Sequence, residues 1–268
     1  MSKTVVLVGC GNMGRAMLEG WLAAKPDLAA YVVEPSDALR DKAAALGATA
    51  VAGPGDLPAS LSPDLIFLAV KPQIMPSVLP DYARFETTTF VSIAAGTTVA
   101  TLQAGLGAGA PVIRCMPNTP AAIGAGMMVC WGTDGVSEDT RSLSNDLLAA
   151  SGKVAWIADE ALMDAVTAVS GSGPAYIFHF IEALTAAAVK AGLPQDLSET
   201  LAMQTVMGAG RLAAESDTPP GVLREQVTSP GGTTAAGLSV LRDTGRLEAL
   251  LIETVEAARA RGEELGKA

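Results

Sequence analysis

The chain has 268 residues and a formal net charge of -10, and 49% of its residues are hydrophobic. We expect two domains, because a chain of this length is longer than one hydrophobic core usually supports. The composition is that of an ordinary globular protein. The acidic balance excludes a nucleic-acid-binding surface, because no stripe of Lys and Arg is present to neutralise phosphates.

The first predicted element is a buried strand that runs into a glycine-rich turn and then a helix. Residues 5–8 are apolar, and a G-x-G-x-x-G pattern follows them at once. In this pattern Gly9 permits a tight turn, Gly11 lets the backbone approach a pyrophosphate, and Gly14 lets the helix close on the sheet. The N–H groups at the start of the helix face the phosphate charge. The motif predicts a dinucleotide site that includes Gly9, Gly11, Asn12, Met13 and Gly14.

Strands and helices alternate up to Asp159, after which almost every segment is helix-forming. The predicted strands after the first are residues 30–34, 64–70, 88–94, 112–116, 127–131 and 153–157, with helices at 37–46 and from Ser137. Their continuous apolar runs predict a parallel sheet covered on both faces. The expected fold is α/β. A Rossmann-like doubly wound sheet occupies residues 1–159, and an all-helical domain for substrate binding and dimerisation follows in residues 160–268.

A long uncharged stretch, residues 87–113, raises the question of a membrane span. Glycines, threonines and Pro111 divide it into strand, loop, short helix and strand, so we expect no span. The first strand starts within four residues of Met1, which leaves no room for a signal peptide. The three cysteines have no C-x-x-C spacing, which predicts a reducing compartment and neither disulfides nor a zinc site. We therefore expect a cytoplasmic protein that holds no metal.

Glu34 ends the second predicted strand, 20 positions after Gly14. An acidic residue there accepts hydrogen bonds from the adenine ribose 2′-OH and favours NAD over a cofactor with a 2′-phosphate. Ser36 and Arg40 lie on the next loop and helix, close enough to bind that phosphate if Glu34 turns away. Their alternative roles are helix capping and a solvated surface. NADPH and NADH both remain possible cofactors, with Glu34 and Ser36 in the site.

Further cofactor contacts are expected where other strands end, because cofactors lie over the carboxyl ends of the strands in open α/β sheets. The loops concerned supply Val70, Lys71, Pro72, Ala94 and Asn118. Lys71 either faces the cofactor or is an exposed loop lysine, and Pro72 stiffens its loop. Asn118 either donates a hydrogen bond to the cofactor or orders its own proline-flanked loop.

The most informative stretch of the helical half is residues 227–234, V-T-S-P-G-G-T-T, which leads into a predicted helix. Its glycines expose backbone N–H groups, and hydroxyl side chains surround them. Unpaired N–H groups and the positive end of a helix dipole together attract an anion. The stretch therefore predicts a second anion site, suited to a carboxylate; the alternative is a loop that only caps the helix.

Five segments resemble, in order along the chain, the motifs of the pyrroline-5-carboxylate reductase family. They are residues 9–14, 69–72, 114–120, 169–176 and 227–234, of which the last is the most specific. The resemblance implies reduction of the cyclic imine of 1-pyrroline-5-carboxylate to L-proline by NADPH or NADH, the last step of proline synthesis. It also implies dimers through the C-terminal helices, often assembled into larger rings such as a decamer. The family usually prefers NADPH, and an acidic residue at position 34 does not fit that preference.

The residues available suit this chemistry, because a cyclic imine protonates readily and hydride transfer then needs positioning more than a strong acid. We expect the Thr234 hydroxyl to hydrogen-bond the ring nitrogen. The substrate carboxylate is expected to bind Ser229, Gly231, Gly232 and Thr233. The single histidine, His179, lies between two phenylalanines in an apolar helix, which predicts a core or interface position.

Two other functions fit the sequence less well. A 3-hydroxyacid dehydrogenase of similar plan needs a lysine acid in the helical half, and Lys190 lies just before a helix-ending glycine. A nucleotide sensor would bind NAD(P)H without turnover. Whatever the function, the helices of residues 161–170, 175–191 and 247–265 are apolar on more than one face. We therefore expect an obligate homodimer through this half.

Overall fold

The computed structural model describes residues 3–267. The chain divides into two compact units. The first comprises the described residues of Met1–Ser172 and Ala258–Ala268, and the second is Gly173–Ala257. The last strand ends at Trp156, and the helical turn Glu160–Leu162 still belongs to the first unit. The domain boundary at Asp159 stays a prediction.

Within the described residues, eight strands form one sheet. They are β1 (Thr4–Val8), β2 (Ala29–Val33), β3 (Thr49–Val51), β4 (Leu65–Leu68), β5 (Thr89–Ser92), β6 (Val112–Met116), β7 (Gly126–Gly132) and β8 (Gly152–Trp156). The helices up to residue 172 are α1 (Asn12–Ala24), α2 (Asp37–Ala45), α3 (Met75–Val78), α4 (Val99–Leu106), α5 (Glu138–Ala149) and α6 (Met163–Val166). The helices after it are α7 (Gly173–Lys190), α8 (Gln195–Glu215), α9 (Pro220–Gln226), α10 (Thr233–Arg242) and α11 (Arg246–Lys267).

The strand order is β3-β2-β1-β4-β5-β6-β7-β8, and the predicted doubly wound α/β fold is confirmed. Every predicted strand is present with ends shifted by at most two residues. β3 was not predicted, because three residues are too short a run to show the alternation of a strand. The strand order reverses between β1 and β4, which are parallel neighbours: β2 and β3 lie on one side of β1, and β4 and the later strands lie on the other.

The expectation of a wholly parallel sheet is wrong at one strand. β7 pairs antiparallel with β6, with Cys115 opposite Cys130, and β8 then runs parallel to β7. The connection from β6 to β7 holds one short helical turn, Thr119–Ile123. A parallel crossover needs a dozen or more residues, so this connection is too short to carry the chain back to the other edge of the sheet.

Two apolar layers cover the two faces of the sheet. Leu18 and Trp21 of α1 pack on one face with Phe67, and the Trp21 and Phe67 ring centroids are 4.4 Å apart. Met75 and Leu79 pack on the other face. The central strands are buried on both sides, as parallel strands require. The sheet is thus a rigid support for the loops at its carboxyl edge.

The uncharged stretch at residues 87–113 folds as β5, α4 and β6 with loops between them, as predicted. Gly107 ends α4 with a φ of +114°, a value that favours glycine. In the part of the chain that the structure describes, no helix is long and apolar enough to cross a membrane.

The second unit, Gly173–Ala257, has almost no core of its own. Among its residues only Ser198 and Ala202 are buried, although α7 and α8 pack together. Large apolar side chains on its helices are exposed, including Ile177, Phe178, Phe180, Met203, Met207, Leu250 and Ile252. A patch of this extent on an isolated chain marks an interaction surface.

Candidate functional site

The glycine turn after β1 lies against the loop that follows β4. Gly9 has a φ of +88°, and a Cβ added there would lie 2.9 Å from the Ala69 carbonyl oxygen and from Val70 Cγ1. A Cβ on Gly14 would lie 2.5 Å from the Gly9 carbonyl oxygen. Only glycine fits these two positions, whereas Gly11 faces open space. This close-packed glycine turn, which we call the glycine cradle, lies where the strand order reverses. Its geometry fits a dinucleotide pyrophosphate.

A cleft of about 530 Å³ opens beside the glycine turn. It brings together five of the predicted cofactor residues: Gly9, Gly11, Glu34, Val70 and Lys71. The other predicted residues, Asn12, Met13, Gly14, Ser36, Pro72, Ala94 and Asn118, are outside its lining. Asn12, Met13 and Gly14 are the first three residues of α1. Their cofactor contacts stay predictions.

Sequence reasoning missed several residues that line the same cleft. They are Pro35, Leu39, Ala52, Pro54, Ile74, Val78, Asp81 and Tyr82. Burial raises the pKa of the Tyr82 phenol well above its ordinary value, so the group stays neutral. The rule that cofactors lie over strand carboxyl ends covers Ala52 and Pro54, which follow β3, but β3 was not predicted from the sequence.

Glu34 links the glycine turn to the start of α2. It is 7% exposed, and its carboxylate accepts the Cys10 N–H at 2.8 Å and the Ser36 N–H at 3.0 Å. Burial and then the nearby Glu34 charge raise the pKa of the Cys10 thiol, which therefore stays protonated. The carboxylate is held in the cleft by two backbone donors.

Arg40 is occupied by local partners. Its guanidinium donates to the carbonyl oxygens of Glu34 and Pro35, at 2.9 Å and 2.7 Å, and pairs with Asp37. Ser36 is the N-cap residue of α2, but its side chain caps no N–H group. In this arrangement Arg40 does not present a free cation toward the cleft.

Asn118 forms hydrogen bonds to Ser170 and to Met127. Its Nδ2 donates to the carbonyl oxygen and the hydroxyl of Ser170, at 3.2 Å and 3.4 Å. Its Oδ1 accepts the Met127 N–H at 2.9 Å. Of the two roles considered from the sequence, loop ordering is the one these bonds perform, and a direct cofactor contact stays a prediction. Ser170 lies in a π-helical turn, Thr167–Gly171, of a kind that often occurs near functional sites.

In the second unit, the glycine-rich loop forms a tight turn that leads directly into α10. Gly232 N–H donates to the Ser229 carbonyl at 3.0 Å, and Gly231 has a φ of +70°. With proline at the preceding position, these features define a type II turn. Gly232 is the N-cap of α10 and has no side chain to cap it. The N–H groups of the first helical turn have no intrahelical acceptor, so they are available to an anion.

The histidine, Lys190 and the cysteines lie outside the two candidate sites described above. His179 is 82% exposed beside Glu182, so it is not in the core of this chain. Lys190 is exposed at the end of α7. All three cysteines are free and buried, and a hydrogen bond with Cys130, together with burial, raises the pKa of the Cys115 thiol. Among the described residues, no group of three or more His, Cys, Asp or Glu is placed to hold a metal.

Two family models match the chain. The one described as pyrroline-5-carboxylate reductase dimerisation covers residues 160–265. The one described as NADP oxidoreductase coenzyme F420-dependent covers residues 4–96. A 3-hydroxyisobutyrate dehydrogenase from Mycobacterium tuberculosis is 15% identical, with a TM-score of 0.53, and shares the fold alone.

Several relatives that match the chain over its full length are pyrroline-5-carboxylate reductases. A pyrroline-5-carboxylate reductase of Synechocystis sp. is 40% identical over 270 residues, covering 100% of both chains. That of Escherichia coli is 39% identical over 276 residues, again covering 100% of both. The solved structure of a pyrroline-5-carboxylate reductase from Coxiella burnetii is 33% identical and covers 100% of both chains with a TM-score of 0.93. Plasmodium falciparum pyrroline carboxylate reductase, solved with NADP bound, is 30% identical and covers 98% of both with a TM-score of 0.81. The chain belongs to the pyrroline-5-carboxylate reductase family, which confirms the resemblance of its motifs.

Proposed function

We propose that this chain reduces the cyclic imine of 1-pyrroline-5-carboxylate to L-proline with NAD(P)H in the cytoplasm, and that residues 229–234 bind the substrate. The observation that carries the proposal is the turn before α10, where backbone N–H groups without acceptors begin a helix. Such a start attracts a carboxylate, which is the one anionic group of this substrate. The glycine cradle beside β4 supports the cofactor half of the proposal.

The glycine turn and the cleft beside it bind the cofactor. Gly11 leaves open space for a pyrophosphate, and the N–H groups that begin α1 face the same region. Lys71, Val70 and Glu34 line the cleft beside it. Bound NAD(P)H supplies the hydride that reduces the C=N carbon.

The substrate half of the reaction needs orientation and little acid catalysis. A cyclic imine takes its proton readily from water, so the enzyme has to hold the iminium carbon in line with the hydride donor. The Ser229 hydroxyl and the N–H groups of Gly231, Thr233 and Thr234 hold the carboxylate. The Gly232 N–H is used by the Ser229 carbonyl within the turn, so Gly232 contributes the close approach of its backbone and not a donor. The Thr234 hydroxyl hydrogen-bonds the ring nitrogen and fixes which face of the ring is presented. This division of roles requires no titrating side chain at the reacting atoms.

The carboxylate site predicts strong discrimination against an imine without a carboxylate. Two charge-assisted hydrogen bonds contribute about 3 to 6 kcal/mol, or at least about a hundredfold in kcat/KM. Unsubstituted 1-pyrroline should therefore be reduced less efficiently than pyrroline-5-carboxylate by at least about a hundredfold. Comparable kcat/KM values for the two imines, measured at saturating cofactor, would refute the site.

Gly232→Ala offers a control within the loop. A Cβ at this position lies 3.1 Å from the Ser229 carbonyl oxygen, within the loop proposed to bind the carboxylate. The variant should penalise pyrroline-5-carboxylate far more than 1-pyrroline. Gly237→Ala, further along α10 where the added methyl meets nothing within 4 Å, should leave both substrates unaffected. Equal losses on both imines in Gly232→Ala would mean that the loop only supports the fold.

Thr234 is expected to act through its hydroxyl. Loss of this hydrogen bond in Thr234→Ala should cost about 1 to 3 kcal/mol of transition-state stabilisation, or about five- to a hundredfold in kcat/KM. Thr234→Ser keeps the hydroxyl and should recover most of the activity. Steady-state kinetics of the two variants test this role, and equal impairment would assign Thr234 to packing instead.

Glu34 is expected to weaken the preference for NADPH, so that the chain uses both cofactors. Its carboxylate, held by the Cys10 and Ser36 N–H groups, repels a 2′-phosphate, and Arg40 is occupied by other partners. Glu34→Ser should raise the ratio of kcat/KM for NADPH to that for NADH about tenfold. The ratio cancels any general loss of activity. Glu34→Gln removes the charge with little change of shape and should move the ratio in the same direction; an unchanged ratio in both variants contradicts the assignment.

A second copy of this chain is the partner that the exposed helices require. The second unit buries too few side chains to be stable alone, and the family model that covers it is described as a dimerisation domain. The chain should therefore form a homodimer through this unit, and dimers can assemble further into a decameric ring. Light scattering at micromolar concentration should give at least twice the chain mass of 27.1 kDa. A monomer mass would overturn the prediction.

A further inference from the structure

Residues 93–99, which are the loop that joins β5 to α4 and the first residue of that helix, lie at the carboxyl edge of the sheet. β5 is the strand next to β4, on the side away from β2. In a doubly wound fold the dinucleotide crosses the sheet where the strand order reverses, so its two halves lie over opposite sides of that point. The cleft at Glu34 and β3 lies on the adenosine side. The loop at residues 93–99 is therefore on the nicotinamide side.

A carboxylate from a distant part of the chain holds this loop. Glu160 Oε1 accepts the Val99 N–H at 2.9 Å, at the first residue of α4. The same oxygen accepts Arg114 Nη1 at 2.5 Å. The Arg114 side chain, on β6, is 8% exposed, and that of Glu160 is 29% exposed. One carboxylate thus joins β6, the start of α4 and the segment that follows the last strand.

The other side of the loop is also covered. A Cβ added at Gly96 would lie 3.3 Å from Leu265 Cβ, and a Cβ at Gly266 would lie 3.5 Å from the Gly96 carbonyl oxygen. Gly96 has a φ of +71°, which favours glycine at this point of the loop. The last turns of α11 therefore lie directly on the loop. Glu160 fixes one end of a segment that is already packed at its centre.

We infer that Glu160 is a positioning residue for the nicotinamide half of the cofactor, acting through the Val99 N–H and through Arg114. The inference rests on the proposed use of NAD(P)H by this fold. Glu160 itself does not touch the reacting atoms. By holding residues 93–99 in one place, it lowers the entropy lost when the cofactor orders that loop.

Removal of the carboxylate acts on two groups at once. Glu160→Ala leaves the Val99 N–H without its acceptor and Arg114 as a nearly buried cation without its partner. A buried charge that loses its partner moves toward water, and the chain around it rearranges. Glu160→Gln keeps an amide oxygen for the Val99 N–H and removes only the charge, so its effect should be smaller.

Asp64 provides a matched control at the opposite edge of the sheet. Its carboxylate also accepts one backbone N–H, that of Thr4 at 2.8 Å, and one cation, Lys3 Nζ at 2.9 Å. Its side chain is 32% exposed, similar to Glu160. Asp64 directly precedes β4 and meets the start of β1, at the amino edge. Asp64→Ala therefore removes the same kinds of bond away from the cofactor.

The experiment measures NADPH binding to the full-length chain by fluorescence titration without substrate. Glu160→Ala should raise Kd about tenfold and Glu160→Gln about threefold, whereas Asp64→Ala and Asp64→Asn should stay within about twofold of the unaltered chain. Thermal unfolding of each variant gives the general loss of stability. Hydrogen exchange in residues 93–101 should accelerate in Glu160→Ala and not in Asp64→Ala.

An unchanged Kd in Glu160→Ala, or the same rise in Glu160→Ala and Asp64→Ala, would overturn the inference. If Glu160→Ala fails to fold, the Glu160→Gln and Asp64→Asn pair decides by the same comparison of Kd values. Because the assay contains no imine, its outcome is separate from whether the unaltered chain reduces pyrroline-5-carboxylate. Lack of that activity alongside normal NADPH binding would refute the proposed reaction only.

Discussion

The close backbone contact between the glycine turn and the loop after β4 is the constraint on which the rest of the first unit depends. At Gly9 the carbonyl oxygen of Ala69 comes within 2.9 Å of where a Cβ would stand, and at Gly14 the Gly9 carbonyl comes still closer. Any side chain at either position would push α1 away from the sheet. With the helix held this near, its first N–H groups point at the place where the strand order reverses. The same contact brings the loops of β1 and β4 together as the floor of the proposed cofactor cleft.

The chain has a net charge of -10, and both proposed anion sites rely on backbone dipoles more than on cations. One is the start of α1, and the other is the start of α10, where a type II turn leaves the first N–H groups free. Backbone donors at the start of a helix keep a fixed direction. Arg40 illustrates the opposite case, because Asp37 and two carbonyl groups occupy its guanidinium. Acidic composition and anion binding are therefore compatible in one molecule.

Stability is distributed unequally between the two units. The sheet buries apolar side chains on both faces, including Trp21, Phe67 and Phe90. The second unit exposes side chains of the same kind along α7, α8 and α11, so its folding free energy depends on what covers them. Association with a second copy would bury this surface and couple folding of the helices to assembly. Assembly would then also stabilise the unit that carries α10 and the proposed substrate loop.

Short stretches of the sequence encode the local features of this fold. The glycine turn, the apolar strands and the turn at residues 229–232 each follow from local backbone and burial requirements, and the order of motifs identified the family. The folded chain was needed to show the direction of β7, the partners of Asn118 and Glu34, and the bond from Glu160 to Arg114, 46 positions apart. These depend on which strands become neighbours and which polar groups then share a buried space. A single sequence records each partner but not the pairing, because hydrogen bonds between distant residues leave no period along the chain.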